Sequence, residues 1–124
     1  MNIAIYPINT RSVTAGNIHT WAKSNGCDFV IELHLNAFSS PSANGYETLK
    51  HTSVTTSSTI NAIHNAMLTI GWADRGIKSR DNLGNMNLMK KAGIPYALIE
   101  FCFMSNLNDL SKWDSNIGTI PSKL

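Results

Sequence analysis

The fold of this chain is decided by two apolar stretches, Phe29-Val30-Ile31-Glu32-Leu33 and Tyr96-Ala97-Leu98-Ile99. Both are short and almost wholly apolar, which is typical of a strand that is buried on both faces. Pro95 comes directly before the second stretch and fits the beginning of a strand, where one backbone donor can be spared. Strands of this kind belong to mostly parallel sheets that helices cover, so we expect an α/β fold.

Other strand and helix patterns alternate around these two stretches. The short apolar run at 3–6 predicts a further strand, and residues 46–49, opened by Gly45, predict another. A helix is predicted to begin after Thr10 or Ser12, either of which can cap it, and to stop near Gly26. A last helix is predicted to begin after Ser105 or Asn106. The clearest helix follows the caps at 55–58 and carries one apolar face, formed by Ile60, Ile63, Met67 and Ile70.

The alternation predicts a three-layer α/β sandwich with a mostly parallel central sheet and helices on both faces. We expect residues 1–115 to form one domain and residues 116–124, which show no strong periodicity, to form a tail. The segment from Asp74 to Asn87 is rich in glycine, asparagine and charge, and it predicts a surface loop. His64, within the clearest helix, is expected to be half-exposed.

Composition excludes several classes of protein. The 124 residues are 43% hydrophobic with a net charge of +2, which fits one folded domain without a nucleic-acid-binding face. No apolar stretch is long enough for a transmembrane segment, and the first residues carry no signal-peptide pattern. We therefore expect a protein made in the cytoplasm that reaches an outside target only by export or release. Cys27 and Cys102 are expected to be free thiols.

Two ionisable residues follow the buried strands directly, His34 after Leu33 and Glu100 after Ile99. Carboxyl ends of strands form the ligand crevice of open α/β sheets, so both side chains are predicted to lie in one site. Imidazole binds zinc, and a nearby carboxylate can take a proton from water and return it to a leaving amine. The pair indicates metal-assisted hydrolysis, with a structural role for each residue as the alternative.

Glu32 has three open interpretations. It lies two residues before His34, so both side chains point to the same face of a strand. It can orient the imidazole as a hydrogen-bond acceptor, bind a metal itself, or reach solvent at the sheet's edge. A nucleophilic pair of Cys102 and His34 is disfavoured, because nothing near the thiol in sequence is arranged to lower its pKa.

The stretch Ile31-Glu32-Leu33-His34-Leu35-Asn36-Ala37 resembles the histidine motif of zinc-dependent N-acetylmuramoyl-L-alanine amidases. This family includes many phage endolysins and bacterial autolysins. Residues 94–106, centred on Glu100, resemble its glutamate motif, and Asp109 fits as well. Residues 45–47 and 75–78 match intervening segments in order and approximate spacing, so the likeness runs from Ile3 to Asp109.

The resemblance implies a zinc enzyme that cleaves peptidoglycan between N-acetylmuramic acid and L-alanine. By matched position, His34 would be the second zinc histidine and Glu100 the catalytic glutamate. Asn36 would help to shape the substrate cleft. Peptidoglycan is then the expected partner, with no role for nucleic acid.

One departure from the family pattern is plain. The family's domain opens with a Gly-His strand and a helix that supplies a glutamate ligand, and this chain contains no Gly-His pair. The alternatives are a fragment, a degenerate relative that binds cell wall or serves as an assembly partner, an altered site that uses Glu32, or ligands from a second chain. A missing first strand would leave a sheet edge unpaired, so we expect some self-association.

Overall fold

The structure, a computed structural model, describes residues 18–120. The predicted strand at 3–6, the caps at Thr10 and Ser12 and the end of the predicted tail lie outside the described residues. The described part contains four strands and four helices, and β1 and β2 follow each other with no helix between them. In chain order they are α1 (Ile18–Ser24), β1 (Val30–Asn36), β2 (Tyr46–His51), α2 (Ser58–Leu68), β3 (Asp74–Arg80), α3 (Gly84–Ala92), β4 (Tyr96–Phe103) and α4 (Leu107–Asn116).

The four described strands form one sheet in the order β1-β4-β2-β3. The β1–β4 and β2–β3 pairs are parallel, and β2 runs antiparallel to β4. The sheet is therefore mixed but mostly parallel. Strand β4 is buried along most of its length because it lies between two other strands.

Helices cover both faces of this sheet, which confirms the predicted α/β sandwich. On one face, α2 and α4 pack on a core that includes Met67, Ile99 and Phe101. On the other face, α1 and α3 pack on a core that includes Met89 and Leu98. Leu98 and Ile99 belong to different cores because neighbouring strand residues point to opposite faces.

Helix α2 has the apolar face that its spacing predicts. Ile60, Ile63 and Met67 are buried, and the Ser57 side chain caps the helix by accepting a hydrogen bond from the Ile60 N–H. His64 was expected to be half-exposed, but it is buried at 5% exposure. It shares the buried face because it lies one position from Ile63 and finds polar partners there, Thr48 Oγ1 at 3.0 Å and Asp74 Oδ1 at 3.0 Å.

The loop predicted from Asp74 to Asn87 is wrong, since this segment contains β3 and the beginning of α3. Strand β3 lies at one edge of the described sheet and is held by its parallel pairing with β2, so it needs few apolar residues. Helix α3 buries only Met86 and Met89 and has no side-chain cap, because Leu83 occupies the N-cap position. Neither a long apolar stripe nor a cap was present to indicate a helix.

Strand β1 is less buried than its apolar sequence predicts. It pairs with β4 on one side, and Leu33 is 51% exposed. The expected self-association through a sheet edge stays a prediction. The division of the chain at residue 115 also stays a prediction, although Ile120, beyond that boundary, is buried in the core with Trp72 and Phe101.

Candidate functional site

The strand register brings His34 and Glu100 together. They are directly paired across β1 and β4, and Glu47 of β2 is paired with Glu100 from the other side. Residues paired in this way point to the same face of a sheet, so the imidazole and two carboxylates form one row. Both predicted residues lie inside their strands and not after them, because β1 continues to Asn36 and β4 to Phe103.

Glu100 has an oxygen with no hydrogen-bond partner. Within residues 18–120, its Oε2 is buried and accepts no hydrogen bond. Burial raises the pKa of Glu100, while the charge of His34 lowers it and the charges of Glu47 and Glu32 raise it further, with a net upward shift. A buried carboxylate without a partner is disfavoured in its charged form, so this group holds a proton more readily than an ordinary glutamate.

Glu32 makes several close contacts beside His34. Its Oε1 lies 2.7 Å from His34 Nε2, and its Oε2 accepts a short hydrogen bond from the Tyr96 hydroxyl. Asn85 Nδ2 donates to both oxygens, at 3.3 Å and 3.1 Å. Strands β1 and β4 and the first turn of α3 therefore meet at this carboxylate.

Glu47 is a site residue that the sequence analysis did not single out. Its side chain is 7% exposed, and its Oε2 accepts from Lys78 Nζ at 2.5 Å and from Arg75 Nε at 3.1 Å. Burial alone would raise the pKa of Glu47, but the hydrogen bonds and charges of Lys78 and Arg75 outweigh it and lower that pKa. Glu47 is thus held as a carboxylate directly beside Glu100.

Asn36 contacts the same cluster. Its Nδ2 donates to Glu47 Oε1 at 3.4 Å, and its Oδ1 accepts from the Ala37 N–H at 2.9 Å. It is also the last residue of β1, where the register with β4 shifts after His34. These contacts place Asn36 next to the row of site residues.

A shallow cavity of about 220 Å³ lies beside His34 and Glu32. Its wall is completed by the start of α3 and by β4, through Leu83, Gly84, Asn85, Tyr96 and Leu98. A larger cavity of about 330 Å³ lies near the start of β4 and is lined by neither His34 nor Glu100. We assign the site to the smaller cavity, because His34 and Glu32 both line it.

The donors around His34 do not make a metal site by themselves. Residues 18–120 contain no group of three or more His, Cys, Asp or Glu side chains that could hold a metal ion. The 21 residues outside that range contain none of these residue types, as the printed sequence shows. Because catalytic zinc normally takes three protein ligands, the donors of this chain do not fit zinc.

Comparisons with known proteins point to one family. The family described as N-acetylmuramoyl-L-alanine amidase matches residues 1–119. Probable autolysin PH of Staphylococcus aureus is 31% identical over 104 residues, which are 84% of this chain and 21% of that protein. The chain thus spans about a fifth of the length of that relative.

Solved structures share the fold. The catalytic domain of the CD27L endolysin, described as targeting Clostridia difficile, has a TM-score of 0.68 at 25% identity, over 93% of this chain and 62% of that domain. The catalytic domain of CwlV, an N-acetylmuramoyl-L-alanine amidase from Bacillus (Paenibacillus) polymyxa, has a TM-score of 0.66 at 21% identity, over 87% of this chain and 59% of that domain. About two fifths of each domain therefore has no counterpart in this chain.

Proposed function

This chain belongs to the N-acetylmuramoyl-L-alanine amidase family, and we propose that it takes part in hydrolysing the amide between N-acetylmuramic acid and L-alanine of peptidoglycan. The observation that carries this proposal is the row of His34, Glu100 and Glu47 across three strands. It places an imidazole beside a carboxylate whose Oε2 has no partner within the described residues.

Glu100 is the proposed proton-transfer residue. Hydrolysis of an amide requires a group that takes a proton from the attacking water and returns it to the departing nitrogen. The free Oε2 of Glu100 can accept a hydrogen bond from such a water, and the raised pKa of the carboxyl suits the return of the proton. Asn36 is proposed to help shape the cleft beside this group.

The requirement for zinc is separate from the proposed role of Glu100. Members of this family generally depend on zinc, and His34 is the residue of this chain proposed to contact it. The donors of this chain can hold zinc only weakly, since they include no group of three. We therefore assign no catalytic step to zinc, and an activity assay should contain it in excess.

The incomplete donor set also favours a second candidate function. A domain that keeps the cleft but lacks a full metal site can bind cell wall, or assemble with another protein, without cleaving it. Assays of cleavage and of binding distinguish the two candidate functions. A binding module is retained on insoluble peptidoglycan and releases no L-alanine amino termini.

The test measures new L-alanine amino termini released from purified peptidoglycan in excess zinc. We expect release by the unaltered chain and a decrease of about 100-fold or more in Glu100→Gln, the usual range for loss of an acid–base group. Asp114→Asn, which changes an exposed carboxylate on α4, is the matched control and should keep full activity.

Two results would contradict these proposals. Equal release by the unaltered chain and Glu100→Gln would refute the role of Glu100. No release by either protein, together with co-sedimentation of both with insoluble peptidoglycan, would overturn the enzymatic proposal in favour of the binding module.

A further inference from the structure

We propose that Tyr96 and Asn85 are positioning residues that hold the Glu32 carboxylate, which in turn fixes the His34 ring with its proton on Nε2. The inference deepens the proposed function, on which it rests, because it concerns the same imidazole. It assigns Glu32 the task of orienting that ring and not of binding a metal.

The Glu32 carboxylate can accept only a limited number of hydrogen bonds. A carboxylate offers about four lone-pair positions for hydrogen bonds. Contacts of Glu32 fill them: His34 Nε2 and Asn85 Nδ2 on Oε1, and Asn85 Nδ2 and the Tyr96 hydroxyl on Oε2. A metal could bind Glu32 only if these hydrogen bonds were broken.

Tyr96 and Asn85 are both donors in their hydrogen bonds to Glu32. Burial first, and then the hydrogen bond and charge of Glu32, raise the pKa of Tyr96, so its hydroxyl keeps its proton and donates. Asn85 also presents its amide nitrogen, since the reverse orientation would set its Oδ1 against two carboxylate oxygens. Glu32 is therefore the acceptor in these contacts.

The contact with Glu32 decides which nitrogen of the His34 ring carries the proton. Because Glu32 acts as an acceptor, the His34 nitrogen that lies 2.7 Å from Oε1 must be the one that carries the proton. In the neutral ring, Nδ1 then keeps the free lone pair. The His34 side chain is 44% exposed, so that nitrogen is available to a substrate group or a ligand.

Rigid elements support the arrangement. Glu32 and His34 lie on the same face of β1, and Tyr96 begins β4, where it pairs with Val30 two residues before Glu32. Asn85 is the second residue of α3, and that helix packs on the sheet through Met86 and Met89. The orientation of the imidazole is thus coupled to the position of α3.

The test reads the His34 tautomer directly by long-range ¹H–¹⁵N NMR of the labelled chain, in alkaline buffer where an unperturbed imidazole is neutral. A His34→Gln spectrum identifies the His34 signals among those of the four histidines. We expect the Nε2–H form to dominate. We also expect its ratio to the Nδ1–H form to fall roughly tenfold in Glu32→Gln, the effect of losing one charge-assisted hydrogen bond.

Tyr96→Phe and Asn85→Ala test the two positioning residues, and each should lower the same ratio by a smaller factor. The matched controls are Tyr46→Phe, which removes a buried hydroxyl on the opposite face, and Asn87→Ala, which removes another amide of α3. Neither control should change the His34 signals. Tyr46→Phe should instead affect His64, which Tyr46 contacts through Thr48.

An Nδ1–H form in the unaltered chain would overturn the proposal. An unchanged His34 tautomer in folded Tyr96→Phe and Asn85→Ala would equally overturn it, and Asn85→Ala decides the matter if Tyr96→Phe does not fold. The readout needs no substrate turnover, so failure of this inference is distinguishable from failure of the proposed amidase activity.

Discussion

Glu47 shows how charge is balanced at the level of single residues. Three carboxylates, those of Glu32, Glu47 and Glu100, lie on the same face of the sheet, and the charges of the first two raise the pKa of Glu100. Glu47 is stabilised by Lys78 and Arg75, and Arg75 also lies over the Phe103 ring at 4.9 Å. Like charges of the site are thereby tolerated next to Glu100.

Glu47→Gln should lower the free energy of unfolding by about 1–3 kcal/mol at neutral pH, less than for a fully buried pair because both cations are partly exposed. The folded pKa of Glu47 is lowered from its usual value of 4.5. Its contribution is therefore complete above that pH and is lost as the pH falls through the folded pKa. Urea unfolding between neutral and acidic pH measures the effect.

The difference between the two proteins should shrink as the pH falls below about 4.5, where Glu47 of the unfolded chain takes up a proton, and it should be lost below the lowered folded pKa. Asp28→Asn, an exposed change just before β1, is the control and should stay close to the unaltered chain. A difference that did not vary with pH would contradict the assignment of an ionised Glu47.

Single residues of the site were only partly predictable from the sequence. His34 and Glu100 were identified because each follows a recognisable apolar stretch. Arg75 and Lys78 lie 28 and 31 residues from Glu47, and Asn85 and Tyr96 lie 53 and 64 residues from Glu32, so only the folded chain brings them together. Such contacts leave no local pattern, so Glu47, Asn85 and Tyr96 were not recognised.

Asp109 connects several elements near the site. It lies in the first turn of α4, where the Asn106 side chain caps the helix by accepting from the Asp109 N–H. Its buried Oδ2 accepts from the Gly45 N–H at 2.8 Å and from the Phe103 N–H at 3.0 Å. One carboxylate thus joins the segment before β2, the end of β4 and the start of α4.

Asp109→Asn should destabilise the fold by roughly 2 kcal/mol, because an amide cannot accept both buried N–H donors as well as a carboxylate does. Asp114→Asn, an exposed change on the same helix, should cost less than about 0.5 kcal/mol. Thermal or urea unfolding of the pair checks this. Equal stability of the two variants would show that the Asp109 contacts contribute little.

Elements were predicted well where burial left a pattern. The first residues of β4 and α4 and the apolar face of α2 followed from apolar runs and caps, whereas the end of β4 lies four residues beyond the predicted one. Strand β3 and helix α3 were missed, because an edge strand tolerates charge and α3 buries only Met86 and Met89. Their existence depends on pairing with β2 and packing on the sheet, which are tertiary effects.

Over the molecule as a whole, the described residues combine an α/β sandwich with a set of donors too small for a metal site. No described helix is long and apolar enough to cross a membrane. The fold class and the pairing of His34 with Glu100 followed from the sequence. The number of donors around His34 could be counted only after the strand order was known.

We propose that this chain holds the imidazole and the proton-transfer carboxylate of an amidase site but does not retain zinc alone. Elemental analysis of the purified chain, after zinc addition and gel filtration, tests it beside His34→Ala. We expect far less than one zinc per chain in both samples. About one zinc per chain, lost in His34→Ala, would contradict it and would show that the donors of this chain form a complete metal site.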